Sequence, residues 1–299
     1  MSALISDTNP DLLRGHWSGV GSFSDCRASL NKHAFRLTHA LGSHPLFTVD
    51  ALLGVAREAS RRSGDVYFDA GDVRVGDKWG GIPVPDQPVE DVIRRIEHAG
   101  AWIIMKHVEL NPAYGEVLKD WADFMRSLAG DSAHLLTNPE MLVLITSPRR
   151  LTPFHFDAEL NVLVQLHGQK TLFVCDPQDR SVVAETDIEN YYGVSVTAGK
   201  FQEHAHQAAT AFHLSPGDAV HIPVHSGHWV QNQDEVSVSL SLNFELPPAS
   251  CSDVYLANFH LRRMGLMPRP PGQSRLVDSV KVRAMQAARS VKRIRRATA

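Results

Sequence analysis

The chain has 299 residues, 43% of them hydrophobic and 21% charged, which is ordinary globular composition with ample length to bury a core. No run approaches the ~20 consecutive apolar residues of a membrane-spanning helix, and Met1–Arg14 carries acids and a proline where a secretory signal has an apolar stretch. The net charge of −3 conceals an asymmetry: Arg262–Ala299 holds eleven Lys/Arg and one acid, Asp278, leaving 19 bases and 32 acids ahead of it. An acidic body argues against nucleic acid as a partner, because phosphate binding relies on basic surface.

Several helices are set by their punctuation. Asp50 is expected to cap Ala51–Arg62, which stops before Gly64, and Val89–His98 reads as a further helix. Ala101–Val108 reads as a strand. Asn111 and Pro112 make an N-cap and first-turn pair for a helix to about Ala129, closed by Gly130. Past Pro139 the texture becomes short β-type runs: Met141–Thr146, Leu160–Leu166, Thr171–Cys175, Ala209–Leu214, Ala219–Ile222 and Val236–Leu246. Turns such as His167-Gly168 and Pro216-Gly217-Asp218 separate them. Many short strands without long intervening helices indicate a sandwich or barrel. Asp253–Met264 is expected to be helical. A Pro-rich linker, Met267–Gly272, then leads to a basic helix from about Leu276 to Arg296. The expected division is a domain over 1–265, with its barrel core at about 140–247, and an appendage over 266–299.

In Val236–Leu246 the residues Val236, Val238, Leu240, Leu242 and Phe244 alternate with Ser237, Ser239, Ser241, Asn243 and Glu245, so each set occupies one face. The polar face either meets solvent or lines a wet cavity inside a barrel. Small hydroxyls with an amide favour the cavity. His155-Phe156-Asp157 is read as the start of a strand, with both polar side chains on one face, able to grip one cation. Pro216-Gly217-Asp218 and Ile222-Pro223 suit a tight corner that delivers His228 to a strand's opening. Two imidazoles and one carboxylate form the facial triad of non-haem Fe(II) oxygenases, leaving adjacent coordination positions open. A closed four-ligand site would instead be structural.

The string Thr152-Pro153-Phe154-His155-Phe156-Asp157, then Asn161 and Gly168-Gln169-Lys170, then Pro216-Gly217-Asp218, Ile222-Pro223, His228 and Asn243-Phe244, resembles the JmjC-like cupin group of 2-oxoglutarate-dependent oxygenases. That group includes asparaginyl hydroxylases. The resemblance runs from about Val143 to Leu246. It implies a mainly β fold with flanking helices: a double-stranded β-helix, the cupin/JmjC jelly roll, with N-terminal α/β elements and C-terminal helices. It further implies that His155, Asp157 and His228 bind Fe(II). Lys170 with Thr152 would hold the distal carboxylate of 2-oxoglutarate, and Asn161 and Asn243 would border the cosubstrate and its iron-bound end. The implied reaction turns 2-oxoglutarate and O2 into succinate while hydroxylating or demethylating a protein or small-molecule substrate. The family also uses a tyrosine hydroxyl from an earlier strand, whereas Ala101–Val108 offers Trp102 and no Tyr.

Two other classes stay open: a cupin using the same ligands with Zn, Mn or Ni for isomerisation or hydrolysis, and a non-catalytic barrel that binds a metabolite or partner. Among the 16 histidines, His204 and His206 are expected in a loop, as surface or substrate-facing groups, and His221 and His225 flank the corner before His228. Tyr191 and Tyr192 are read either as a lid or as buried in the turn Asp187–Tyr192. Cys26, Cys175 and Cys251 are widely spaced and odd in number, which suits buried thiols in a reducing, cytoplasmic setting. Val280, Met285, Ala288, Val291 and Ile294 fall on one face of the basic helix. That helix is expected to pack on the acidic body or to join a homodimer through the C-terminal helices.

Overall fold

The β-type runs assemble into two antiparallel sheets in the computed structural model, which describes residues 16–20, 22–78, 87–197, 199–246 and 252–297, with side chains to position 290. In chain order the strands are β1 (Trp17–Gly19), β2 (Phe35–His39), β3 (Val66–Ala70), β4 (Ala101–Met105), β5 (Thr137–Thr146), β6 (Leu151–His155), β7 (Leu160–His167), β8 (Lys170–Val174), β9 (Thr210–Leu214), β10 (Asp218–Ile222), β11 (His228–Asn232) and β12 (Ser237–Glu245). The wide sheet runs β1-β2-β10-β7-β12-β5-β4-β3 and the narrow one β6-β11-β8-β9. Four strands from each sheet face one another as a double-stranded β-helix, the fold expected from the sequence. The N-terminal strands extend the wide sheet at both ends, β2 beside β10 and β4 beside β5.

Helices cover the outer faces. The N-terminal ones are α1 (Phe23–Ser29), α2 (Val49–Ala59), α3 (Val89–Arg94) and α4 (Pro112–Ala129). The α4 helix begins and ends as expected: Asn111 accepts a hydrogen bond from the Ala113 N–H, Pro112 fills the first turn, and Gly130 closes it at φ 59°. Its stripe of Val117, Leu118, Trp121, Met125 and Leu128 packs on the apolar face of β12, where Trp121 stacks on Phe244 at 4.5 Å between centroids. The polar face of β12 turns inward, as the alternation suggested. On the narrow sheet, α5 (Glu185–Gly193), α6 (Ala205–Ala208) and α7 (Ser252–Arg263) enclose a second cluster around Phe154, Phe156, Ile188 and Trp229. Between the sheets, Leu172, Phe212, Val220 and Val230 fill the closed end of the barrel.

Several boundaries move. Helix α2 starts earlier than expected because Thr48, rather than Asp50, supplies the capping oxygen, to the Ala51 N–H, and Asp50 sits in the first turn. It ends at Ala59, and α3 ends at Arg94 rather than His98. Strand β4 stops at Met105, since His107 takes a left-handed φ of 51° and opens a 3₁₀ turn. Strands β1, β2 and β3 carry no strict alternation and were not legible.

The final helix, α8 (Arg275–Ala297), docks by polar contacts: Arg289 pairs with the fully buried Asp253 of α7, and the Lys281 ammonium donates to the Arg269 carbonyl at 2.9 Å. The expected apolar face is not the packing face, since Val280 and Ala288 are exposed and Lys281 is buried. The side chains of Val291 and Ile294 lie outside the described residues, as do Met1–Arg14 and Cys251. Cys26 and Cys175 are free and buried. No helix among the described residues is long and apolar enough to cross a membrane.

Candidate metal centre and its cavity

Strand pairing brings the histidines together. His155 ends β6 and His228 opens β11, and the two are direct cross-strand partners, with ring centroids 4.1 Å apart. The sequence reading placed His155 at the start of a strand. Instead β6 ends there, and Asp157 stands in the following loop. The Asp157 carboxylate reaches back to 3.6 Å from His228 Nε2. Its backbone carbonyl accepts from the His225 N–H, which ties this loop to the corner before β11. Ligand atoms of His155, Asp157 and His228 all lie within 4.8 Å of one another, and no other such trio of His, Cys, Asp or Glu gathers among the described residues.

Both imidazoles are oriented by the backbone. His155 Nδ1 is 2.8 Å from the Pro153 carbonyl, and His228 Nδ1 is 2.9 Å from the Ser226 carbonyl. A carbonyl only accepts, so each Nδ1 donates a proton, which leaves Nε2 as the atom each ring can offer a metal. Burial, followed by the neighbouring His155, lowers the His228 pKa to about 4, so this ring is neutral at physiological pH. Two imidazoles and a carboxylate on one side of a point, with a cavity on the other, fit a divalent transition metal with open coordination positions.

That cavity encloses about 290 Å³. Lys170 opens β8 just after Gly168, whose φ of 72° makes the turn. Lys170 is 4% exposed and its Nζ donates to Ser239 Oγ at 2.7 Å; Ser239 in turn donates to Gln165 Oε1. No carboxylate among the described residues pairs with it, and burial lowers its pKa to about 7. Thr152, from β6, lines the same space. Asn161, Asn243 and Glu140 form one register row across β7, β12 and β5. The Asn161 amide donates to Ser241 Oγ at 2.7 Å, and Ser241 donates to Asn243 Oδ1 at 3.2 Å. All seven residues singled out from the sequence thus border one cavity.

Other residues there were missed. Glu159 and Glu140 line the rim with Lys106. Burial and the nearby Asp157 push the Glu159 carboxyl up to about 7, and burial raises Glu140. Glu159 follows Asp157 and precedes Asn161 at period two, a signal that was available. Glu140 comes from a distant strand, and nothing local marks it. Tyr191 lines the cavity from α5, while Tyr192 turns away to hydrogen-bond His225 Nε2 at 3.0 Å. Trp102 lines the cavity where a tyrosine was sought. His221 and His225 are buried outside it: His221 Nε2 accepts from the Asn31 N–H at 2.9 Å, fastening the N-terminal segment to β10. His204 bonds Ser181, and His206 packs edge-on against Trp229.

The fold is a barrel of the double-stranded β-helix class, with a His-Asp-His trio that could hold a metal ion. The sequence profile of the cupin-like domain matches residues 87–250, more than half of the chain, and the chain belongs to that JmjC-type cupin family. Among solved structures, Escherichia coli ycfD superimposes with a TM-score of 0.53 at 14% identity, over 91% of this chain and 68% of that one. A structure of YcfD described as a ribosomal oxygenase, in complex with cobalt and 2-oxoglutarate, gives 0.47 at 15% identity, over 91% and 67%. No curated protein matches the chain by sequence.

Proposed function

We propose that this protein is an Fe(II)- and 2-oxoglutarate-dependent oxygenase, acting as a hydroxylase on a protein or small-molecule substrate. The supporting observation is a conjunction in one cavity: the open-sided His155–Asp157–His228 trio, and Lys170 as a buried amine that no carboxylate among the described residues answers. An isomerase or hydrolase using the same ligands has no use for that amine. A dicarboxylate cosubstrate does, because its distal carboxylate supplies the missing partner.

His155, Asp157 and His228 would hold the metal, with the Pro153 and Ser226 carbonyls fixing the imidazoles so that little reorganises on binding. Iron bound there, with 2-oxoglutarate and O2, supplies oxidative decarboxylation to succinate and oxidation of a substrate C–H bond. Lys170 and Thr152 would orient the cosubstrate by its far end, while Asn161 and Asn243 border its metal-proximal end. Leu144, Leu163 and Val230 give the cavity apolar walls that exclude water. The oxygenase domain in this reading spans 1–265, with 266–299 appended, and the buried free thiols suit a cytoplasmic enzyme.

Incubation with Fe(II), ascorbate, O2 and 2-oxoglutarate is expected to release succinate, and to release none with His228→Ala. Succinate at the level of that variant from the wild-type protein, with iron shown to be bound, sinks the proposal.

A further inference from the structure

We propose that the outward face of α8 docks on an anionic lipid surface, with the helix lying along the membrane. The helix is tied to the body by one side only. There Asp278 accepts from the Gly272 N–H, Lys281 donates to the Arg269 carbonyl, Met285 is half-buried and Arg289 pairs with Asp253. Leu276, Val280, Ala284 and Ala287 recur at intervals of four, four and three residues and form one stripe. At about 100° per residue, that stripe lies on the side of the helix away from Asp278, Lys281 and Met285. All four residues are exposed, Leu276 by 81% and Val280 by 65%. A helix packed on a single body carries polar residues at such positions. Neighbouring chain adds to the stripe: of thirteen exposed large apolar side chains among the described residues, six fall within 264–280, namely Met264, Leu266, Met267, Leu276, Val277 and Val280. A concentration of this kind points to a contact surface.

Charge selects the occupant. Arg275–Ala297 holds eight Lys/Arg and one acid, Asp278, a net +7, and Arg275 and Arg283 are exposed. A second copy of the same helix would set +7 against +7. Protein interfaces concentrate their binding energy in Trp, Tyr and Arg, with Leu and Val under-represented, and Met264–Ala299 contains no aromatic residue. Aliphatic side chains amid cations of one sign suit a helix lying in the plane of an anionic bilayer, as does a length of apolar surface too short to cross it. Each Lys or Arg near such a surface adds about fivefold in affinity. The acidic body is no obstacle, because the part on which α8 packs stands about 10 Å behind the lipid, one helix diameter, beyond the screening length of about 8 Å at physiological ionic strength.

Vesicle flotation of the full chain tests this and needs neither metal nor cosubstrate. Vesicles of phosphatidylcholine alone are compared with vesicles containing phosphatidylserine at about one part in three. Binding is expected to be about tenfold or more tighter to the anionic vesicles, and to fall as salt rises. Arg275→Gln/Arg283→Gln and Leu276→Gln/Val280→Gln should each weaken it by about tenfold or more, since one removes charge and the other buried apolar area. All four positions are exposed, so circular dichroism of both variants should match the wild type. Equal binding to both vesicles, binding to neither, or binding that survives either double substitution overturns the inference. So does sedimentation equilibrium showing a dimer that Leu276→Gln/Val280→Gln dissociates, which would give the stripe to a second copy. Binding to poly-glutamate as tight as to anionic vesicles, and indifferent to Leu276→Gln/Val280→Gln, would assign the face to an acidic protein instead and overturns it too.

Discussion

Replacing Lys170 by methionine is expected to push stability and cosubstrate binding in opposite directions. The ammonium is buried on all sides, and burial alone lowers its pKa from 10.5 to about 7. In the unfolded chain the amine returns to its ordinary value, so the folded state binds fewer protons between about pH 7 and 10.5. Wild-type stability therefore rises with pH across that window, and the destabilisation from Lys170 is complete below about pH 7. At 1.36 kcal/mol per pKa unit the upper limit is about 4 to 5 kcal/mol. Losing the bond to Ser239 leaves that hydroxyl short of a donor, a cost of about 1–3 kcal/mol. Lys170→Met should thus gain roughly 1–3 kcal/mol without ligand at pH 7, or about 2–4 °C per kcal/mol in Tm. The gain should shrink as pH rises toward 10. Binding of 2-oxoglutarate should weaken by about 2–5 kcal/mol, since one half of a buried charged pair is gone. Differential scanning calorimetry with and without 2-oxoglutarate, on Zn(II)-loaded protein, reads both effects. If the variant is less stable without ligand, or binds 2-oxoglutarate like the wild type, the assignment of Lys170 as an unanswered buried cation is wrong.

Other consequences follow from neighbouring residues. His228→Ala is expected to lower Co(II) affinity by more than the roughly 10–100-fold that outer-shell changes cost, read from the visible absorbance of the bound ion. Ser226 orients His228 through its carbonyl, while its buried hydroxyl has no partner; Ser226→Ala should keep Co(II) affinity within about twofold and leave stability unchanged or raised. His221, fully buried and held neutral with a pKa lowered to about 3, takes up its proton more readily in the unfolded chain. Stability should therefore fall as pH drops from about 6.5 toward 3, by up to about 1.4 kcal/mol per pH unit from this group, and His221→Gln should flatten that slope in urea titrations. Gly168→Ala would put a Cβ 2.2 Å from the Val236 carbonyl oxygen at a φ of 72°, so a loss of at least about 2 kcal/mol is expected by chemical denaturation, with weakened 2-oxoglutarate binding because this turn places Lys170.

The legible parts of the fold are those in which local chemistry and tertiary packing agree. Asn111, Pro112 and Gly130 mark α4 without help from the rest of the chain, and the strict alternation of β12 announces both of its faces. Strands β1 to β3 lie at the ends of the wide sheet and have mixed burial, so no periodicity marks them. The trio His155, Asp157 and His228, which could hold a metal ion, was legible because each residue sits next to a recognisable turn or strand signal. His155 was expected to open a strand, whereas β6 ends there; the run Leu151–His155 contains a proline and was not among the expected β-type runs. That proline is tolerated because β6 is an edge strand of the narrow sheet. Glu140 reaches the cavity only through the register of β5 against β12, a pairing across about a hundred residues of chain that no local pattern encodes.

The two sheets divide the work of the site. The narrow sheet supplies both histidines as one cross-strand pair, and each imidazole is oriented by a carbonyl two residues earlier in its own strand or turn. Their geometry is therefore set locally and depends little on what fills the rest of the barrel. The wide sheet supplies a row of small hydroxyls and amides whose hydrogen bonds interlock from strand to strand, from Gln165 through Ser239 to Lys170 and from Asn161 through Ser241 to Asn243. In such relays one hydroxyl proton fixes the sense of every amide it touches, so a change at Ser239 or Ser241 alters what the cavity offers a ligand without moving the His155–Asp157–His228 trio. In the proposed oxygenase, metal geometry and ligand recognition are therefore physically separable, so that one barrel could keep the His155–Asp157–His228 trio while the opposite wall is rebuilt for a different substrate.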